Sequence, residues 1–266
     1  MSASSSKPVA VVTGASAGIG AIYAERLASR GYDLILVARR AERLEALSSK
    51  LGAAHGTKVE VVEADLTRDA DITRVEKVIK ANPAIALLVN NAGNSTLALV
   101  AQTSEQDAAA MVALNVTALT RLTHAILPAF LARNEGAIIN VASVLAFHAL
   151  PISAIYSGTK GYVMNFSLGL QQELAQTNVR LQLVMPASTA TELWDLSGVP
   201  LASLNQATVM SAEDLVDAAL AGFDKGESIT LPSVADATLW DKFDQARSTL
   251  FAATQTGEPA PRYRAA

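Results

Sequence analysis

Along most of this chain, short runs rich in β-branched residues alternate with longer amphipathic runs, and that alternation constrains the fold more than any other feature. The short runs are VAVVT (9–13), DLILVA (33–38), KVEVVEA (58–64), ALLVNNA (86–92), AIINVAS (137–143) and RLQLVMP (180–186). Most lack a clean polar face, as a parallel strand covered on both sides requires. Helical periodicity fills the gaps, over residues 19–29, 41–54, 68–80, 105–133 and 156–176. The fourth of these is long enough to bend, and Pro128 near its end marks where. Repeated βαβ units with right-handed crossovers make a doubly wound, Rossmann-like parallel sheet of α/β class with helices on both faces.

No linker interrupts the pattern, so residues 1–266 read as a single dinucleotide-binding domain. Two segments fall outside it. Residues 187–210 mix small, polar and isolated bulky side chains and read as a mobile substrate loop with a short helix. Residues 252–266 form a polar tail with two prolines, expected to be flexible or to pack on a neighbouring subunit. Half the residues are apolar, only 17% are charged, and the net charge is −4. That argues against nucleic acid or an anionic membrane as partner. With no cysteine there is no thiolate chemistry, and His55, His124 and His148 show no ligand spacing, so no metal is expected. The polar start MSASSSK has no apolar run behind it long enough for a signal peptide, and no uninterrupted stretch approaches the roughly 18 apolar residues of a membrane span. A cytoplasmic protein is the expectation.

The first strand runs directly into VVTGASAGIG, where Gly14, Gly18 and Gly20 open a helix. Without Cβ atoms the backbone can touch a pyrophosphate, and the helix amino end offers free N–H groups and a positive dipole. Ser16 could add a hydroxyl to a phosphate or make a local turn bond. An NAD site would place an acid at the end of the second strand. Here Arg39 and Arg40 stand in its place, and two guanidiniums suit the 2′-phosphate of NADP, although a solvated pair at a helix start would look the same. Asp65 after the third strand could accept from an adenine amino group or simply cap a helix.

Tyr156 and Lys160, at i and i+4, share one helical face among small residues. Alone, such a pair is an ordinary surface contact. In order along the chain, however, TGASAGIG (13–20), NNAG (90–93), Asn115, Ser143, Tyr156 and Lys160 resemble the motifs of the short-chain dehydrogenase/reductase family, in its short single-domain branch. The resemblance covers roughly residues 7–191. It implies a strand order of 3-2-1-4-5-6-7 over about seven strands, with the cofactor across the carboxyl ends. It implies catalytic roles for Tyr156, Lys160, Ser143 and Asn115. It also implies a cofactor cradle of Gly14, Ser16, Gly18, Ile19, Gly20, Arg39, Arg40, Asp65, Leu66, Asn91, Ala92, Gly93, Tyr156, Lys160, Pro186, Thr189 and Thr191. Dimers or tetramers, most simply a homotetramer, are what the family leads one to expect. The sequence departs from the pattern at Ala187, where a glycine is usual, and at Ala17, sometimes basic in NADP enzymes. A third departure is the bulky run VLAFHALP after Ser143.

A free tyrosine titrates near 10. An ammonium one turn away favours the phenolate, so Tyr156 is expected to exchange a proton with a carbonyl oxygen or alcohol, tuned by Lys160, which also binds ribose. Ser143 would hold the carbonyl oxygen, and Asn115 a relay water. Ser143, Val144, Leu145, His148, Leu150, Tyr156 and Asn94, with Leu193 and Trp194 from the loop, would form the substrate pocket, His148 more as wall than as base. The expected activity is NADP(H)-dependent reduction of an apolar or aromatic ketone or aldehyde. A non-catalytic NADP sensor and an isomerase or dehydratase on the same scaffold are the alternatives.

Overall fold

In a computed structural model, residues 7–264 of the chain are described; residues 1–6 and 265–266, which hold most of the polar start and the end of the tail, lie outside. Seven strands, β1 (Val9–Thr13), β2 (Asp33–Ala38), β3 (Val59–Glu63), β4 (Ile85–Asn90), β5 (Gly136–Val141), β6 (Val179–Val184) and β7 (Ile229–Thr230), form one sheet in the order β3-β2-β1-β4-β5-β6-β7. Every pairing is parallel. Central β1 is wholly buried, as its continuous apolar run requires, whereas edge strand β3 exposes Glu60 and Glu63, charges that discourage edge-to-edge association. Strands β4, β5 and β6 stop two residues before the apolar runs do. There the backbone leaves the ladder, and Asn91, Ala92, Ala142, Ser143 and Pro186 line a cavity instead.

The helices are α1 (Gly18–Ser29), α2 (Ala41–His55), α3 (Asp69–Ala81), α4 (Glu105–Val112), α5 (Leu119–Arg133), α6 (Ala154–Leu174), α7 (Leu193–Ser197), α8 (Ala212–Asp224) and α9 (Thr238–Ala253). Alternating β1 side chains feed two cores, as the two-residue strand period dictates. Ala10 and Val12 pack with α1, α2 and α8 through Leu27, Leu44 and Leu215. Val9 and Val11 face the opposite layer, where Val75, Phe130 and Leu170 bring in α3, α5 and α6.

The stretch 105–133 is helical throughout, but its irregularity is not at Pro128, which sits inside α5. It is a π-helical turn, Ala113–Ala118, between α4 and α5. This run is also long and apolar enough to cross a membrane by length and composition alone, and nearly half of its apolar stretch is buried here. Residues 187–210 contain α7 and two short 3-10 turns, and their ends are tied where Ala190 N donates to Met210 O (2.8 Å) and Met210 N to Ser188 O (2.9 Å). The contacts group into two compact units, Met1–Pro232 and Ser233–Ala266, the second built on α9.

Candidate active site

The glycine loop joins β1 to α1. Gly14 and Gly18 adopt left-handed backbone (φ 68° and 52°), which costs a side-chain-bearing residue strain. Gly20 serves packing: a Cβ there would collide with the Gly14 carbonyl oxygen and lie 2.6 Å from Asn91 Nδ2. It alone of the three glycines does not line the cavity. Thr13 Oγ1 accepts from Asn91 N and Ala92 N, both at 3.0 Å, while Asn91 Nδ2 donates to Thr13 O at 2.9 Å. These bonds stitch the NNAG segment to the end of β1. No side chain caps α1 at its amino end, so its first-turn N–H groups stay available to an anion.

Opposite this loop, Ser143 follows β5 and Tyr156 and Lys160 project from the first turns of α6. All three are at least nine-tenths buried. Ser143 stands close enough to the Tyr156 phenol to favour its ionised form, and Ser143 Oγ accepts from Leu145 N at 3.1 Å. Lys160 Nζ donates to Val141 O at 2.9 Å and lies 5.8 Å from the Tyr156 ring centroid. Burial lowers Lys160 from 10.5 to about 8, because a charge is penalised away from water. Burial also raises the phenol to about 12, against a smaller lowering by the neighbouring Ser143. The expected fall of the Tyr156 value therefore does not arise from the protein groups alone: the ammonium is engaged with a backbone carbonyl.

Asn115, in the π turn, donates through Nδ2 to Asn94 O (2.9 Å) and Thr159 Oγ1 (3.0 Å), and its Oδ1 accepts from Asn94 N (3.0 Å). Both amide hydrogens are thus committed, and Asn115 does not line the cavity. Its side chain fixes the 93–95 segment instead of presenting a donor to a relay water. Gly93 keeps that corner tight, since a Cβ there would be 3.2 Å from Asn115 Oδ1 and 3.5 Å from Lys160 Nζ.

One cavity of about 460 Å³ connects these parts. Its lining holds every expected cofactor residue except Gly20: Gly14, Ser16, Gly18, Ile19, Arg39, Arg40, Asp65, Leu66, Asn91, Ala92, Gly93, Tyr156, Lys160, Pro186, Thr189 and Thr191. Of the substrate set, Asn94, Ser143, Val144, Leu145, Leu150, Tyr156, Leu193 and Trp194 are there. His148 is not: it is exposed outside the lining, because the turn after Ser143 carries it away. Asp65 does not cap α3, whose N-cap is Arg68; its Oδ1 accepts from Thr67 N and Oγ1 in a local turn. Ala187 replaces the usual glycine without strain, since Asn134 is the only non-glycine residue with positive φ among the described residues.

A family model for short chain dehydrogenases matches residues 8–198. The chain belongs to that family. A short-chain dehydrogenase from Sphingobium yanoikuyae, solved in complex with NADPH, is 42% identical, with 97% of this chain and 100% of that one covered and a TM-score of 0.94. The bulky-bulky ketone specific alcohol dehydrogenase from Comamonas testosteroni is 38% identical over 97% of this chain and 99% of its own, with a TM-score of 0.89. Human 17-beta-hydroxysteroid dehydrogenase type 3 is 33% identical over 186 residues, 69% of this chain. For the human protein, as for another curated relative, the match spans only about 60% of the relative's own length.

In this short-chain dehydrogenase, sequence reasoning missed a set of residues on the loop after β6 and near it. Leu97, Ile152, Leu196, Val199 and Leu204 thicken the apolar wall, and Glu192 brings a carboxylate to the cofactor end. Isolated bulky residues in a loop were the only signal available for the first group. For Glu192 there was none, because its partners lie some 150 residues earlier in the chain.

Proposed function

We propose that this short-chain dehydrogenase is an NADPH-dependent carbonyl reductase acting on a bulky apolar or aromatic ketone, and reversibly on the corresponding secondary alcohol. The single observation that carries the reading is the buried Tyr156–Ser143 hydroxyl pair, with Lys160 beside it, in the same cavity as the glycine loop. The residues fit a dinucleotide. The uncapped start of α1 and the Cβ-free approach at Gly14 suit a pyrophosphate, and Arg39 and Arg40 suit a 2′-phosphate. NADPH, when bound, supplies the hydride.

The chain's own groups then do the rest. Ser143 holds the substrate oxygen by a hydrogen bond that strengthens as charge develops there. Tyr156, protonated throughout the neutral range at a value of about 12, delivers its proton to that oxygen as the carbonyl carbon is reduced. The resulting phenolate is reprotonated from solvent. Lys160 offers its remaining ammonium hydrogens to a ribose hydroxyl. Asn115, through Asn94, keeps the neighbouring backbone in position. The wall opposite is made of Leu97, Leu145, Leu150, Ile152, Trp194 and Leu196, with no charged side chain among them, which favours an apolar substrate over a sugar or an acid.

The test is oxidation of NADPH and NADH followed against aryl ketones, diketones, steroids, acyl thioesters, polyols and charged acids. NADPH turnover with the bulky apolar ketones is expected. Turnover confined to polyols or charged acids would remove the substrate assignment. Tyr156→Phe should lower kcat by about a hundredfold or more with NADPH affinity retained. An activity that survives this change removes the acid assignment.

A further inference from the structure

Arg40 makes two contacts that set it apart from Arg39. Its Nε donates to Ser16 Oγ of the glycine loop at 3.2 Å, and its Nη1 donates to Glu192 Oε2 at 2.9 Å. Glu192 in turn accepts from Arg43 Nη1 through Oε1 (2.7 Å) and Oε2 (2.9 Å). A single carboxylate therefore rests on the guanidinium that faces Ser16, at the end of β2 where a 2′-phosphate would be read. Ser16, Arg40 and Glu192 line the same cavity. By contrast, Arg39 makes no side-chain hydrogen bond or ion pair among the described residues.

Glu192 also stands at a structural junction. Thr191 before it packs against the glycine loop, where a Cβ on Gly18 would lie 3.1 Å from Thr191 Cγ2. After it comes α7, which carries Leu193, Trp194 and Leu196 into the substrate end of the cavity. The rest of the segment is held by neutral bonds: Trp194 Nε1 to Thr189 O (2.8 Å) and Leu97 N to Ser197 O (2.8 Å). Glu192 is its charged attachment to the cofactor-reading arginines.

We propose that Glu192 is a latch that discriminates between the two cofactors: its carboxylate holds the 2′-phosphate seat on Arg40 and cedes it to a 2′-phosphorylated nucleotide, which unfastens the start of α7. The inference rests on the NADPH reading above and assigns that site a residue that responds to the 2′-phosphate by changing its attachment. Displacement follows from charge. A phosphate dianion and a carboxylate repel each other at one guanidinium, and the phosphate, with more charge and three acceptor oxygens, is the stronger partner. The bonds it must break are weak ones, since the Arg40 and Glu192 side chains are 45% and 49% exposed. The displaced carboxylate keeps Arg43, so release is a swing between two arginines and not the loss of an ion pair. A nucleotide without the 2′-phosphate has nothing to offer Arg40 and leaves the latch fastened.

The experiment uses the full chain, with adenosine 2′,5′-bisphosphate as probe and adenosine 5′-monophosphate as control, titrated calorimetrically. Glu192→Gln should bind the bisphosphate about threefold to tenfold tighter, the scale of relieving one or two exposed charge contacts, with the monophosphate unchanged. In a Trp240→Phe background, which leaves Trp194 as the only indole, the bisphosphate should shift Trp194 emission in the Glu192 protein and not in the Gln variant. Unchanged or weaker bisphosphate binding by Glu192→Gln overturns the latch, as does an equal gain for both nucleotides; NADPH binding by the parent protein would still stand. Failure of both proteins to bind the bisphosphate overturns the NADPH reading and the latch together.

Discussion

At the scale of single residues, burial favours the neutral form of both Lys160 and Tyr156 over the charged one. Lys160 is lowered from 10.5 to about 8, so between those values the unfolded chain binds more protons than the native one, and native stability rises with pH across that window. Tyr156 is raised from 10.0 to about 12, so above 10 the native state keeps a proton the unfolded chain has lost, and stability falls from pH 10 to 12. Denaturant midpoints should show both slopes. Relative to the parent protein, Lys160→Met should be most stable below pH 8 and lose that advantage by pH 10. Tyr156→Phe should remove the decline above pH 10, and a flat comparison for both variants would mean that burial does not set these values. That both residues share one helical face was legible in the sequence, because i and i+4 is a local relation, but only the ordered motifs around the pair set it apart from an ordinary contact. Glu192 was not legible, since its meaning comes only from the packing of residues 192, 40 and 43.

At the scale of elements, the two periods, 2 for strands and 3.6 for helices, made β1 to β6 readable from side-chain pattern alone, and α1 to α6 as five helical stretches with α4 and α5 run together. Strand β7, two residues long, has no period to read. The π turn at Ala113–Ala118 shifts the backbone hydrogen-bond register without a marker in its side chains, whereas Pro128, which looked like the break, is carried inside α5 by the packing of Ile126 and Phe130. That turn places Asn115 against Asn94 and Thr159, and Asn115→Ala would leave Asn94 N–H and C=O without their partners. A loss of about 1–3 kcal/mol is expected, read as a Tm lower by about 2–10 °C, with kcat reduced as the 93–95 segment loosens. An unchanged Tm would show that water replaces the amide at no cost. Gly20→Ala tests the junction of β1 and α1 differently. The Cβ would strike backbone, not a flexible side chain, so α1 must shift. About 1–3 kcal/mol of stability should go, together with dinucleotide affinity.

At the scale of the whole molecule, composition and local structure pull in opposite directions. The chain carries a net charge of −4, which gives no general attraction for a phosphorylated ligand, so recognition must be local. The family's shared half, from the glycine loop to Lys160, was legible because its chemistry fixes residue types at fixed element ends. The segment after β6 was not, since apolar walls can be built from many sequences. The local cluster consists of Arg39, Arg40 and Arg43, with Arg40 and Arg43 side chains 45% and 48% exposed. At about 0.1 M salt the screening length is near 10 Å, so contacts made by these exposed arginines weaken as salt rises. The buried end of β1 and the half-buried start of α1 that would hold the rest of the dinucleotide are screened less. A ligand that binds only the native state raises stability by about 2.7 kcal/mol at a hundred times its Kd, so thermal shifts report both cofactors on one scale. NADPH should give the larger shift at low salt, and its advantage over NADH should shrink as salt is raised from about 0.05 to 0.5 M. If the NADH shift is larger, or if the two fall in parallel with salt, the arginines at the end of β2 do not read a 2′-phosphate.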